Sequence, residues 1–257
     1  MARTAFLTAL AMLAFAANSL LCRAALQDGA IDAASFTLVR VLSGALILAL
    51  LTLPHWRRAG RPAADWRSAA ALFGYMIGFS LAYLSLGAGT GALILFGAVQ
   101  LTMFAVALRG GEPFPPLSWI GLGLAVSGLV YLVAPGVTAP DPVGAVLMTI
   151  AGIAWGIYSL RGKGVANPLA ATASNFLFAL PMALAASLIG LAAVGDVTAS
   201  WAGIWLAVAS GAIASGVGYA IWYAALPGLA ATSAATVQLS VPVIAAIGGV
   251  LLLAEPL

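Results

Sequence analysis

Apolar stretches about as long as a bilayer is thick follow one another along almost the whole chain. A transmembrane helix needs about 20 mostly apolar residues. Only 7% of the 257 residues are charged, whereas soluble domains carry about a quarter, so the chain lacks the charges to build a water-facing surface. The sequence therefore predicts an all-α, polytopic helical membrane protein. The nine predicted spans cover residues 4–22, 33–53, 68–86, 90–108, 117–134, 143–160, 169–194, 202–225 and 230–253.

The basic residues of the predicted loops lie almost all on one side of the membrane. If the N-terminus is cytoplasmic, the outer loops contain only Arg23. The inner side then holds Arg3, Arg57, Arg58, Arg61, Arg67, Arg109, Arg161 and Lys163. Because cytoplasmic loops carry an excess of Lys and Arg, we expect a multi-pass protein of the cell membrane, the inner membrane in a Gram-negative bacterium, with a cytoplasmic N-terminus.

The sequence resembles itself at an offset of about 140 residues. Segment 14–20 is similar to segment 154–160. Two further matches pair Tyr75, Phe79 and Tyr83 with Ser215, Tyr219 and Tyr223, and Glu112-Pro113 with Glu255-Pro256. Because the three matches occur in the same order at nearly one offset, they predict an internal repeat.

The predicted repeat divides the chain into residues 1–134, with five helices, and residues 143–257, with four. Five spans separate each residue from its counterpart, and because five is odd, the two halves are inverted relative to each other in the membrane. Inverted repeats are typical of secondary transporters, whose halves rock around a central site. The first apolar stretch has a counterpart inside the chain, so we interpret it as a retained helix and not as a cleaved signal peptide.

The repeat, the Ala-x-x-x-x-Ser-Leu stretch that opens each half and the Glu-Pro that closes each fourth span resemble the EamA family of the drug/metabolite transporter superfamily. This resemblance implies ten helices in two inverted repeats of five. Because the sequence stops at Leu257, just after the second Glu-Pro, we expect nine of the ten helices, without the last. The resemblance also implies export of metabolites such as amino acids or related compounds.

Arg40 is the one charged residue predicted to lie well inside a span. A charge within the membrane is costly and usually marks a functional site. Its guanidinium would suit a carboxylate or phosphate of a substrate in the cavity. The alternatives are an arginine that snorkels to the outer headgroups or one that pairs with Asp28 or Asp32.

Polar and aromatic residues within the spans predict the rest of a substrate cavity. Rings and hydroxyl groups would suit a small amphipathic metabolite. The predicted lining residues besides Arg40 are Asn18, Tyr75, Trp155, Tyr158, Tyr219 and Gln238. The alternatives are an aromatic belt at the headgroup level for the rings and a hydrogen bond between helices for Gln238.

Two prolines interrupt apolar spans and are predicted hinges. Proline removes one backbone hydrogen bond and crowds the carbonyl group four residues before it. For Pro242 that carbonyl belongs to Gln238, which we expect to face protein, water or ligand. Pro181 would act in the same way in the seventh span, and a static kink is the alternative for both.

The remaining polar residues are too few and too scattered for most other functions. Catalysis would need a nucleophile with a base, a carboxylate pair or metal ligands, so we expect no enzyme, no metal and no cofactor, and the dispersed basic residues do not indicate a nucleic-acid partner. We therefore predict a transporter that moves a small-molecule substrate across the lipid bilayer by alternating access, and favour an exporter of amino-acid-like or other small amphipathic compounds. A non-transporting scaffold or receptor is the alternative. Glycine pairs at Gly74/Gly78 and Gly152/Gly156 suit close helix contacts within the chain or in a homodimer.

Overall fold

The computed structural model describes residues 1–63, 65–110, 139–229 and 231–255, together with positions 119, 123 and 127. Within these residues the protein is helical throughout and forms no strand, apart from one isolated bridge between Ile31 and Ala199. The predicted all-α class is therefore confirmed. The predicted span 117–134 falls outside the continuously described ranges. The elements are α1 (Ala2–Leu26), α2 (Ala33–Ala59), α3 (Trp66–Ala82), α4 (Ala88–Arg109), α5 (Pro142–Arg161), α6 (Pro168–Val194), α7 (Trp201–Val208), a π-helical segment (Ala209–Val217), α8 (Gly218–Ala225), a 3₁₀ turn (Leu226–Gly228), α9 (Ala231–Val237) and α10 (Ser240–Leu253).

The helices have the length and surface of membrane spans. Among the described residues, 6 helical stretches are long and apolar enough to cross a membrane, and α10 is a shorter apolar helix. Large apolar side chains on their outer faces, such as Ile189 and Leu251, are mostly exposed. Since apolar side chains face lipid without cost, the outer surface of the bundle is suited to the bilayer, as the sequence predicted.

Polar residues of the connections begin the helices. Asp32 accepts a hydrogen bond from the backbone N–H of Ser35 at 2.9 Å, and Asn167 accepts one from Ala170 at 3.0 Å. Such caps satisfy a backbone N–H that has no partner within the helix and are each worth about 1 kcal/mol. The predicted span 33–53 ends too early, because α2 continues through Pro54 to Ala59.

The last two described spans are less regular than the sequence predicted. The predicted span 202–225 is helical, but Ala209–Val217 in its middle is wound as a π-helix, a rare form that is frequent at functional sites. The predicted span 230–253 is two helices, α9 and α10, with Gln238 and Leu239 between them.

Glycines bring the backbones of neighbouring helices into contact. A Cβ atom at Gly211 in the π-helical segment would collide with the backbone oxygen of Arg40 in α2. A Cβ at Gly78 in α3 would lie 3.2 Å from the backbone oxygen of Leu147 in α5, and one at Gly152 would lie 2.6 Å from the Cβ of Ala98 in α4. The glycine pairs singled out in the sequence thus serve contacts within the bundle, and the predicted homodimer remains a prediction.

At one end of the bundle, an ion pair joins α1 to the residue that follows α10. Arg23 Nε lies 3.0 Å from Glu255 Oε1, and Glu255 Oε2 accepts a hydrogen bond from the N–H of Ala88 at 2.8 Å. Arg23 also donates to the backbone oxygens of Tyr83 and Leu84. We call Arg23, Glu255 and the bonded backbone between positions 83 and 88 the terminal clamp.

At the opposite end, an ion pair joins α3 to α5. Arg161 Nη2 lies 2.9 Å and 3.1 Å from the two carboxylate oxygens of Asp65. Desolvation raises the pKa of Asp65, but hydrogen bonds from Ser68 and Arg161 outweigh it and hold the pKa below its ordinary value of 3.8. At the clamp's end of the same two helices, Ser85 donates a hydrogen bond of 2.9 Å to Asp141.

Candidate functional site

A cavity lies in the middle of the bundle, where α1, α3, α4, α5 and α8 converge beside the break between α9 and α10. Its volume is about 20 Å³, which leaves room for about one water molecule, so the site is closed in this structure. The lining residues are Phe15, Asn18, Ser19, Tyr75, Phe79, Leu95, Phe96, Trp155, Tyr219 and Gln238. Both predicted halves of the chain therefore contribute to one site that is mostly aromatic, with a few polar groups.

Aromatic rings form the walls and approach one another closely. The ring centroid of Trp155 lies 4.8 Å from that of Tyr75 and 5.7 Å from that of Tyr219. Phe15 approaches Tyr219 from the other side, with centroids 5.9 Å apart. Rings at these distances attract one another, so they hold the cavity in a narrow, closed shape.

Arg40 lies behind this aromatic wall and is not a lining residue. Its side chain is fully buried, with 0% exposure. The guanidinium Nη2 donates to the hydroxyl of Tyr75 at 2.9 Å and to the hydroxyl of Ser215 at 3.4 Å. The guanidinium carbon lies 4.9 Å from the ring centroid of Phe79 and 5.3 Å from that of Tyr75, which are cation–π distances.

The positive charge of Arg40 has no ion-pair partner among the described residues. Neither Asp28 nor Asp32 forms an ion pair with it, and its complete burial is incompatible with snorkelling to the headgroups. The Nε and Nη1 atoms of Arg40 have no hydrogen-bond partner. A buried charge in this state is costly for the stability of the fold.

A second polar group lies on α1. The side-chain oxygen of Asn18 accepts a hydrogen bond from Ser210 at 2.8 Å and another from Ser215 at 3.3 Å. Both serines belong to the π-helical segment and are fully buried. Asn18 is thus joined through Ser215 to Arg40.

Tyr158 was predicted to line the cavity but faces away from it. Its hydroxyl donates to Thr172 at 3.1 Å, and Thr172 bonds the hydroxyl of Tyr223 at 3.0 Å. The ring of Tyr158 stacks on Trp155 with centroids 5.4 Å apart. These three hydrogen-bonded side chains lie between the cavity and the end of the bundle that holds Arg161.

Both predicted hinge prolines lie within helices. Pro181 is in the interior of α6, which is assigned as one continuous helix, and Pro242 is the third residue of α10. The carbonyl of Gln238 accepts a hydrogen bond from the N–H of Val241 at 3.1 Å and so faces protein. The hinges at Pro181 and Pro242 remain predictions. The Gln238 side chain lines the cavity as predicted, and its amide nitrogen also donates to the backbone oxygen of Ala234 at 3.0 Å.

Phe15, Phe79, Ser210 and Ser215 belong to the site but were not among the predicted substrate-binding residues. Phe15 and Phe79 line the cavity, and Ser210 and Ser215 position Asn18. The repeat pairs the two phenylalanines with predicted lining residues, Phe15 with Trp155 and Phe79 with Tyr219. Across the described residues, no group of three or more His, Cys, Asp or Glu side chains could hold a metal ion.

Comparisons with known proteins agree with this architecture. The model of the EamA-like transporter family matches residues 142–257. An uncharacterized protein of Pseudomonas aeruginosa is 56% identical over 256 residues, which are 99% of this chain and 88% of that protein. The threonine/homoserine exporter RhtA of Escherichia coli (strain K12) is 30% identical over 232 residues, which are 88% of this chain and 76% of the exporter.

One solved crystal structure covers 96% of this chain and 98% of its own, with 18% identity and a TM-score of 0.48. A likeness of that size supports no assignment by itself. The family model and the exporter sequences do support one, because the match to the exporter extends over most of both chains. The chain is a multi-pass membrane protein that belongs to the EamA-like transporter family of the drug/metabolite transporter superfamily.

Proposed function

We propose that this protein exports small, amino-acid-like compounds that carry a carboxylate, by alternating access through the central cavity. The observation that carries the proposal is Arg40, a buried guanidinium without an acidic partner among the described residues, directly behind two lining rings. In surroundings of low dielectric constant, a single positive charge strongly favours an anionic group nearby.

The rest of the cavity supports a small amphipathic substrate that also carries a positive or apolar part. Trp155 and Tyr219 line the space, and aromatic rings attract ammonium groups as well as apolar ones. The lining contains no acidic side chain, so a compound that is only cationic would have no counter-charge there. A zwitterion satisfies both requirements.

Direction and orientation rest on two further observations. Export is supported by the exporter relatives that match this chain over most of its length. The distribution of Arg and Lys favours a cytoplasmic N-terminus in the cell membrane. In that orientation the terminal clamp would close the outer end, and Tyr158, Thr172 and Tyr223 would close the inner end. In the proposed cycle this is a closed state without substrate.

The proposal is tested by efflux of radiolabelled threonine and homoserine from cells that lack their own exporters. Cells with this protein should lose the label faster than cells without it, and Arg40→Ala should abolish the difference. Arg57→Ala is the matched control, because it removes an exposed arginine from the same helix. If Arg40→Ala reaches the membrane at the normal level and exports normally, Arg40 does not select the substrate. If the unaltered protein exports neither compound, the proposed substrate class is wrong.

A further inference from the structure

We infer that Arg40 selects the substrate indirectly, by fixing the hydrogen bonds of Tyr75 and Asn18 so that both present donors to the cavity. The cavity then binds a carboxylate in preference to a carboxamide of the same shape. The inference rests on the proposed function for the choice of compounds. It makes Arg40 a positioning residue that acts through its two hydrogen-bonded neighbours.

The hydroxyl group of Tyr75 presents a donor to the cavity. A guanidinium can donate hydrogen bonds but cannot accept them, so in the 2.9 Å contact Tyr75 supplies the oxygen and Arg40 the proton. The single proton of the Tyr75 hydroxyl therefore remains free for another acceptor. It is donated to none of the described residues, and Tyr75 lines the cavity. A bound substrate is the available acceptor.

Ser215 connects Arg40 to Asn18 by hydrogen bonds. Ser215 accepts from Arg40, so its own proton is donated onward to the side-chain oxygen of Asn18. Ser210 donates to the same oxygen at the shorter distance of 2.8 Å. With its oxygen engaged twice, Asn18 leaves its NH₂ group for the cavity that it lines.

The π-helix makes this arrangement possible. Ser210 and Ser215 are five residues apart, and in an α-helix at about 100° per residue they would point about 140° away from each other. A π-helix bonds residue i to residue i+5 and brings such positions to nearly the same face. Both serines can therefore reach one oxygen atom of Asn18.

Gln238 presents a hydrogen-bond acceptor to the cavity, whereas Tyr75 and Asn18 present donors. Its amide nitrogen donates to the backbone oxygen of Ala234, and because a carbonyl oxygen can only accept, the orientation of this amide is fixed as well. Its side-chain oxygen receives no hydrogen bond from the described residues and belongs to a cavity-lining residue. The cavity thus offers donors from Tyr75 and Asn18 and an acceptor from Gln238, which matches the carboxylate and ammonium groups of an amino acid.

The test compares two compounds of the same shape on purified protein, threonine and threoninamide, with binding followed by tryptophan fluorescence because Trp155 lines the cavity. The unaltered protein should bind threonine about tenfold or more tightly than the amide, since hydrogen bonds to a charged group are the stronger ones. Asn18→Asp keeps the shape but replaces the donor by a negative oxygen, and should remove this preference or reverse it. Asn167→Asp is the matched control and should change nothing, because Asp caps a helix as well as Asn.

Tyr75→Phe provides a second, independent variant that keeps the ring in the wall and should lower the preference about threefold to tenfold. A preference for threonine that survives in both Asn18→Asp and Tyr75→Phe would overturn the inference, as would equal binding of the two compounds by the unaltered protein. Measuring threonine efflux beside binding distinguishes a failure of the proposed function from a failure of this inference. If the protein binds threonine selectively but does not export it, only the proposed function fails. If it exports threonine but Asn18→Asp leaves the preference intact, only the inference fails.

Discussion

Replacing Arg40 by methionine should make the protein more stable and at the same time inactive. Methionine fills much of the same space without the charge. The replacement loses a charged hydrogen bond to Tyr75 at 2.9 Å, worth about 1.5–3 kcal/mol, and two ring contacts, worth about 0.5–2 kcal/mol each. It also removes two buried nitrogen atoms, Nε and Nη1, that have no hydrogen-bond partner among the described residues, at about 1–3 kcal/mol each. An unpaired charge whose desolvation costs several kcal/mol is removed as well. We expect a net gain of about 1–3 kcal/mol in the free energy of unfolding.

Thermal unfolding of the purified protein in detergent measures this gain. For a chain of this size, 1 kcal/mol corresponds to about 2–4 °C in Tm, so a rise of about 5 °C is expected together with complete loss of threonine efflux. Arg161→Met is the matched control. Because Arg161 has an ion-pair partner in Asp65 at a partly exposed position, its loss should lower the Tm slightly or leave it unchanged. A fall in Tm for Arg40→Met would refute the reasoning, because it would mean that the guanidinium is well compensated in the resting protein.

Three further predictions follow from the packing and the two ends of the bundle. Glu255→Ala should break the terminal clamp and raise several-fold the rate at which maleimide labels the buried Cys22 in purified protein. Asp65→Asn, at the opposite end, should leave this labelling rate unchanged. Equal labelling rates for Glu255→Ala and the unaltered protein would contradict the prediction. Gly211→Ala should prevent α2 and the π-helical segment from packing and strongly reduce the amount of folded protein on gel filtration, whereas Gly74→Ala, whose Cβ would lie 3.8 Å from its nearest neighbour, should be tolerated. Because the pKa of Asp65 is held below 3.8, its ion pair stabilises the fold above about pH 4 and is lost as the pH falls through the lowered pKa. Asp65→Asn should therefore flatten the acid side of a plot of Tm against pH, and an unchanged plot would disprove the assignment.

Within the described ranges, the sequence was sufficient to predict where the long helices lie and in which order, because the bilayer imposes one length and one composition on every helix that crosses it. The starts of α2 and α6 lie within one residue of the predicted positions. The end of α2 was predicted too early, at residue 53, just before Pro54. A proline near the end of a helix removes only one hydrogen bond, and α2 continues for another turn.

The π-helix and the broken last span could not be predicted from the apolar pattern. Both regions consist mainly of small and apolar residues with a few polar ones, so composition does not distinguish an α-helix from a π-helix. The distinction depends on contacts with the rest of the bundle, such as the close approach of Gly211 to α2 and the bonds of Ser210 and Ser215 to Asn18. No local pattern records those contacts.

The cavity was predicted better than its hydrogen bonds. Most of the predicted lining residues do line the cavity, because polar groups deep in a span avoid contact with lipid and face the interior of the bundle. They are Asn18, Tyr75, Trp155, Tyr219 and Gln238. Helical spacing alone could not show that Arg40 lies behind the wall or that Tyr158 faces away from the cavity. Both positions depend on which neighbouring helix each face contacts, which the sequence does not specify.

Contacts at both ends of α3 and α5 join these two helices, which limits how the protein can move. Asp65 pairs with Arg161 at one end, Ser85 bonds Asp141 at the other, and Gly78 brings the backbones together between them. The two helices form a rigid pair, with α3 from the first half of the sequence and α5 from the second. We expect α3 and α5 to move together when the cavity opens. The helices that would move together therefore do not coincide with the two predicted halves of the sequence.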